Sequence, residues 1–160
     1  MTNDIVVLDE IDRQIIAILL KNAATPYSEI AKKIIISNGT VHVRMKKLEN
    51  AGVIKGSTLI LDHTRLGYDI TAYVGVHLEK SSSFEDVIKT LKGIREVIEA
   101  HYTTGVYSIL IKLVCKNTAH LRQVLTEVIK PIEGIYRTET ILSLEESINR
   151  PVMIGKEDDL

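Results

Sequence analysis

One cysteine, one phenylalanine, three prolines and no tryptophan occur in the 160 residues of this chain. A single thiol excludes an internal disulfide, and Cys115, which closes the apolar stretch 108–114, reads as a core thiol in a reducing compartment. No apolar run approaches the roughly 20 residues that a membrane helix needs. No secretory leader opens the sequence, so a cytoplasmic protein is expected. The five histidines, His42, His63, His77, His101 and His120, show no HxH, HExxH or Cys-paired spacing, so no metal site is expected. The nine glycines are scattered without forming a phosphate-cradling loop, and the carboxylates converge on no pair. These absences argue against an enzyme, a catalytic residue or a cofactor. An excess of one charge sign is also missing, with a net charge of −1, which excludes a sequence-blind coat on nucleic acid.

The charge is unevenly placed. Residues 1–56 hold eight Lys/Arg against six Asp/Glu, and residues 27–56 hold six against two. This local surplus lies on a pattern of three helices. The first is expected over 10–21, with Asp9 as cap, Asp12 completing a capping box, Leu8 as staple and Ile11, Ile15, Ile18 and Leu19 as apolar stripe. The second starts from Thr25 as cap with Pro26 in the first helical position, and turns Ile30, Ala31 and Ile34 inward. The third takes Ser37 as cap and ends near Asn50 before Gly52. Val41, Met45 and Leu48 form its packing side. Its other side offers Asn38, Thr40, His42, Val43, Arg44, Lys46 and Lys47. An amide, a hydroxyl, an imidazole and a guanidinium near the start can read base edges. The later lysines suit phosphates, which need charge and little geometry. That arrangement predicts a recognition helix in a DNA major groove. The alternative is a plain packing module with a solvated basic face. Residues 53–61 alternate weakly, as a strand or short wing.

Residues 62–69 read as a linker, and beyond them the chain repeats itself at an offset of 38: Val87, Leu91, Ile94 and Val97 map onto Leu125, Ile129, Ile132 and Ile135. Each half reads strand, helix, strand. The strands are expected over 70–78, 97–104, 107–114 and 135–144, and the helices over 84–92 and 119–130. Two such halves joined at Gly105 give a ferredoxin-like βαββαβ sheet with both helices on one face. The fold class is therefore α+β, a winged-type helix-turn-helix domain (1–61) followed by a ferredoxin-like domain (70–150) and a tail (151–160). Ile109, Ile111 and Leu113 alternate with Leu110, Lys112 and Val114. A sheet apolar on both sides needs a second cover, and a dimer through the open face is the simplest one. Such a dimer would present two recognition helices to a palindromic site. Tyr102 and Tyr107 could line a pocket or an oligomer contact.

The segments Ser37-Asn38-Gly39-Thr40-Val41-His42-Val43-Arg44 and Leu48-Glu49-Asn50-Ala51-Gly52-Val53-Ile54 resemble the helix-turn-helix of the Lrp/AsnC (feast/famine) regulators. Leu8-Asp9, Asp12, Ile30-Ala31 and Leu66-Gly67-Tyr68 fall at that family's usual places. In the second half, His101-Tyr102-Thr103-Thr104-Gly105, Tyr107-Ser108, Lys112 and Thr138-Glu139-Thr140 look most like the AsnC branch. The resemblance implies a transcription regulator whose dimers assemble into octamers and bind a small amino acid, with asparagine as first candidate, between dimers. The Thr103-Thr104-Gly105 turn would then offer hydroxyls and backbone N–H groups to a carboxylate, and Glu139 would answer an ammonium. Ser108 stands where many members carry Asp. Without the resemblance, these are ordinary hairpin and strand-edge residues. One departure is local: members commonly place Gly in the turn before the capping serine, where this chain has Ile35. Because a β-branched residue is costly in the left-handed conformation, a different backbone path is expected there.

Two rivals stand beside this reading. An architectural DNA protein would bind with little sequence preference and sense nothing. A small-molecule enzyme on a ferredoxin-like scaffold would need convergent titratable groups.

Overall fold

The computed structural model describes residues 5–79, 83–152 and 154. The chain divides into two units, one running to Ile60 and resuming at Ile148, the other spanning Leu61–Ser147. Pro151, Val152 and Ile154, expected in a separate tail, group with the first unit. The acidic run Glu157-Asp158-Asp159 lies outside the described residues.

The first unit contains α1 (Glu10–Lys21), α2 (Tyr27–Lys33) and α3 (Asn38–Asn50). At the start of α1 the expected capping box forms: the Asp9 carboxylate accepts from the Asp12 N–H at 2.9 Å, and Asp12 accepts in return from the Asp9 N–H at 3.4 Å. Ile15, Ile30, Ala31, Val41 and Met45 form one buried cluster, with Ile11, Ile18, Leu19, Ile34 and Ile54 packed around it. Each fully buried isoleucine in it contributes about 1.5–3 kcal/mol relative to exposure.

Three local expectations need correction. Pro26, not Thr25, is the N-cap of α2; its carbonyl accepts the first helical bonds from Glu29 and Ile30. Thr25 instead donates its hydroxyl to the Asn22 carbonyl at 2.7 Å, because its side chain is buried against the preceding turn. Ile35 does adopt the left-handed conformation, at φ 57°. The backbone path that a glycine would favour is kept, and the side chain is put out into solvent. Residues 53–61 carry no strand. Val53 and Ile54 close α3 by donating to the Leu48 carbonyl, and Gly52 at φ 70° makes the reversal.

The second unit holds β1 (Ile70–Leu78), α4 (Phe84–Leu91), β2 (Val97–Tyr102), β3 (Ile109–Cys115), α5 (Thr118–Gln123, continuing as a π-helical segment, Val124–Ile129) and β4 (Ile135–Ser143). The strands form one antiparallel sheet in the order β2-β3-β1-β4. Val87 and Leu91 from α4 and Leu121, Val124 and Ile129 from α5 share a core with Ala72, Val74, Val76, Ile109, Ile111, Leu113 and Cys115. Both helices thus cover one face, as the alternation in β3 requires. The duplicated apolar positions meet in this core: Leu91, Ile129, Ile132 and Ile135 are buried, and Leu125, Ile94 and Val97 pack against them. The structure is the expected ferredoxin-like sheet. The hairpin is wider than expected, however, with 103–108 outside both strands. Tyr107 leaves the strand direction because its ring lies on Gly75, where a Cβ would come within 2.4 Å of it.

Candidate functional site

On α3, packing separates the two faces as the spacing requires. Val41, Met45 and Leu48 are buried, whereas Asn38, His42, Val43 and Lys46 are exposed. Ser37 is consumed as the cap, its Oγ accepting the Thr40 N–H at 3.0 Å and lying 2.8 Å from the Thr40 hydroxyl. The His42 ring stands edge-on to Tyr27 at 4.7 Å, which fixes its direction. Val43 is 70% exposed amid polar neighbours, a placement that suits contact with a thymine methyl.

Arg44 and Lys47 have partners inside the unit. Arg44 Nη1 pairs with Asp9 and lies 3.0 Å from Asp12 Oδ1, and Lys47 Nζ lies 2.9 Å from Asp12 Oδ2. Asp12 is fully buried. Burial pushes its carboxyl up, but hydrogen bonds from Lys47 and Arg44 outweigh that and hold it below the ordinary aspartate value. Asp9 is lowered first by Arg44, and the Arg44 guanidinium is raised by both acids. The helical wheel alone singles out both cations; the acids that engage them sit more than thirty residues away.

In the second unit, the sheet face opposite the helices carries a polar cluster. Gly75 pairs with Glu139 and His77 with Arg137 across the β1–β4 ladder. Glu139 accepts from the Tyr107 hydroxyl at 3.1 Å, forms an ion pair with Arg137 Nη2 at 3.0 Å, and its Oε1 lies 3.2 Å from His77 Nε2. The hydrogen bonds of His77 and then Tyr107 hold the Glu139 carboxyl below the ordinary glutamate value, while Glu139 raises the Tyr107 phenol. The Tyr107 ring is fixed from below by Gly75 and from the side by His77, at 5.3 Å edge-on. The turn itself is tied: Thr103 donates its hydroxyl to the Tyr107 carbonyl at 2.7 Å, and the Ser108 N–H donates to Val76.

The expected effector residues therefore divide. Thr103, Tyr107 and Ser108 are bonded into the turn, and Tyr107 connects it to Glu139. Thr104 and Gly105 are exposed at the tip, where Gly105 takes φ 107°. Thr138 and Thr140 pair with Val76 and Val74, whose side chains enter the core. They belong to the other face from Glu139.

Residues 8–55 match a winged helix-turn-helix DNA-binding domain, and residues 71–153 match the Lrp/AsnC ligand binding domain. The chain belongs to the Lrp/AsnC family. Regulatory protein AsnC of Haemophilus influenzae is 42% identical over 145 residues, which is 91% of this chain and 97% of that protein. Regulatory protein AsnC of Escherichia coli K12 is 39% identical over 91% of this chain and 95% of its own. The solved structure of E. coli AsnC has a TM-score of 0.87 at 37% identity, covering 92% of this chain and 99% of that one. A transcriptional regulator of Neisseria meningitidis solved with L-Met shares the fold, with a TM-score of 0.87 at 19% identity over 96% of this chain and 100% of that one. This Lrp/AsnC chain is a transcription regulator of the AsnC type, with a helix-turn-helix DNA-binding unit and a ligand-binding unit. Among its described residues no helix is long and apolar enough to cross a membrane.

Sequence reasoning missed three members of the sheet cluster. His77 has no metal-binding spacing to the other histidines, yet its period-two spacing from Tyr73 and Gly75 places it on the open face. A glycine inside a strand marks a close approach, here by Tyr107. Arg137 follows from the same alternation, two positions before Glu139.

Proposed function

We propose that this regulator reads a palindromic operator with the outward side of α3 and responds to a small amino acid in its C-terminal unit. The observation that carries the reading is the exposed row Asn38, His42, Val43 and Lys46 on a helix whose other side is locked into the core. Asn38 and His42 supply base-edge donors and acceptors, Val43 an apolar contact and Lys46 a phosphate contact, with Ser37 and Thr40 forming the helix start that enters the groove. Arg44 and Lys47 border this row, paired with Asp9 and Asp12.

The effector is a free amino acid, with asparagine as first candidate and the class of L-Met as the general one. The exposed tip of the turn, Thr104 and Gly105, supplies a hydroxyl and N–H groups for its carboxylate, with Thr103, Tyr107 and Ser108 holding the turn in shape. Thr138 and Thr140 at the β4 edge, and Glu139 on the open face, complete the set. The open sheet face supports a symmetric dimer, dimers associate into an octamer, and the effector sits between dimers. A ligand there shifts operator affinity through its differential affinity for the assemblies, a coupling of about 1–3 kcal/mol. The regulator works in the cytoplasm and catalyses no reaction.

The test combines selection of bound duplexes from a random pool with light scattering, each with and without the twenty amino acids. A selected motif with two-fold symmetry, and an amino acid that changes affinity or assembly, are expected. Binding without sequence preference and without amino-acid response would favour the architectural reading instead.

A further inference from the structure

Two of the cations on the α3 surface face carboxylates of α1, and this geometry separates holding the helix from reading DNA. Asp12 has no exposed surface, yet its two oxygens receive Arg44 at 3.0 Å and Lys47 at 2.9 Å, one turn apart on α3. The same carboxylate closes the capping box with the Asp9 N–H, so its position is set by the first turn of α1. Asp9 engages the same Arg44 nitrogen, Nη1. Asp9, the cap of α1, and Asp12 within it thus form a charge-balanced clamp with two bases of α3. Lys46 lies between the two clamped residues in sequence, on the exposed side, and no ion pair involves it among the described residues.

We infer that Asp12, with Asp9, is a positioning residue for the DNA-reading helix, and that Arg44 acts on DNA binding through these acids and not through a contact of its own. The inference rests on α3 being the reading helix. It carries an unusual sign. On charge alone, removing an acid beside a phosphate-facing helix should tighten DNA binding. If the acid fixes the helix, removing it loosens the angle at which Asn38 and His42 meet the groove, and binding weakens.

Fluorescence anisotropy of the full-length protein on a selected duplex, across a potassium chloride series, tests this. Asp9→Asn keeps a good N-cap, since asparagine caps as well as aspartate, and removes only the partner charge. It is expected to weaken binding to the selected duplex about threefold, and Asp12→Asn about tenfold or more. Arg44→Met should weaken binding with the slope of log affinity against log salt unchanged. Lys46→Met should make that slope shallower by about 0.9 for each phosphate left without its cation. Far-UV circular dichroism on the same samples reports whether α1–α3 stay helical; Asp9→Asn answers the question should Asp12→Asn not. Tighter binding by either asparagine variant, or a slope change for Arg44→Met equal to that of Lys46→Met, overturns the clamp and leaves α3 as the reader. If wild type shows no preference for the selected duplex and Lys46→Met changes nothing, the reading of α3 fails and the clamp with it.

Discussion

Replacing Ile35 with glycine is expected to stabilise the helical unit, against the usual cost of removing an isoleucine. The residue sits at φ 57° in the turn between α2 and α3 and is 92% exposed. Holding a side chain with a Cβ in the left-handed region costs about 1–2 kcal/mol, and a β-branched residue belongs at the upper end. Little burial is given up: less than a tenth of the roughly 1.5–3 kcal/mol that a fully buried isoleucine contributes, about 0.2 kcal/mol. The added freedom of glycine in the unfolded chain takes back about 0.5–1 kcal/mol. The net gain is about 1 kcal/mol, which for a unit of this size raises the melting midpoint by about 4–8 °C. Thermal unfolding followed by far-UV circular dichroism measures it, and hydrogen exchange at α2 and α3 amides isolates the opening of this unit. Ile35→Asn, which tolerates the left-handed region, should match or exceed glycine. Ile35→Ala keeps the Cβ and should change little. If alanine stabilises as much as glycine, or glycine lowers the midpoint, the strain assigned to this turn is absent.

Gly75→Ala should drive the Tyr107 ring from its seat and break its bond to Glu139, costing about 1–3 kcal/mol; near-UV tyrosine dichroism and loss of amino-acid-induced thermal shift would report it, and an unchanged spectrum would contradict the packing. Ser37→Ala removes the α3 cap and should destabilise the helical unit by about 1 kcal/mol in urea unfolding. Because the folded Asp12 carboxyl titrates below its ordinary value of 3.8, its contribution is fully present above that value and is lost as pH falls through the lower folded one. Acid titration should therefore weaken the helical unit below about pH 4, and Asp12→Asn should flatten that part of the curve.

Much of the fold was legible because it rests on periodicity. The stripe Ile11, Ile15, Ile18 and Leu19, the spacing of Val41, Met45 and Leu48, and the repeat that pairs Leu91 with Ile129 each state a face and therefore a packing partner. The capping pair Asp9 and Asp12 was equally readable, because both partners lie within one turn. Partners distant in sequence were not. Nothing local in Arg44 reveals that Asp9 and Asp12 await it, so its pairing with them could not be read from the spacing of α3. The same limit hid the Tyr107–Gly75 seat, although a strand glycine was the available signal. Thr25 misled for a physical reason: its hydroxyl is taken up by the Asn22 carbonyl and caps no helix N–H. At Ile35 the cost of a left-handed isoleucine is real, but it does not redirect the backbone, since the surrounding helices fix the turn and impose the penalty on the residue.

The bond from the Ser108 N–H to Val76 joins the hairpin turn to β1, and Val76 is in turn opposite Thr138 in β4. Three backbones are thereby rigged side by side, with β1 as the crossbar between a loop and an outer edge. The link from one end to the other runs through backbone alone, with no side chain in the path. A molecule held at the turn and a neighbour resting on β4 would therefore be bearing on the same beam.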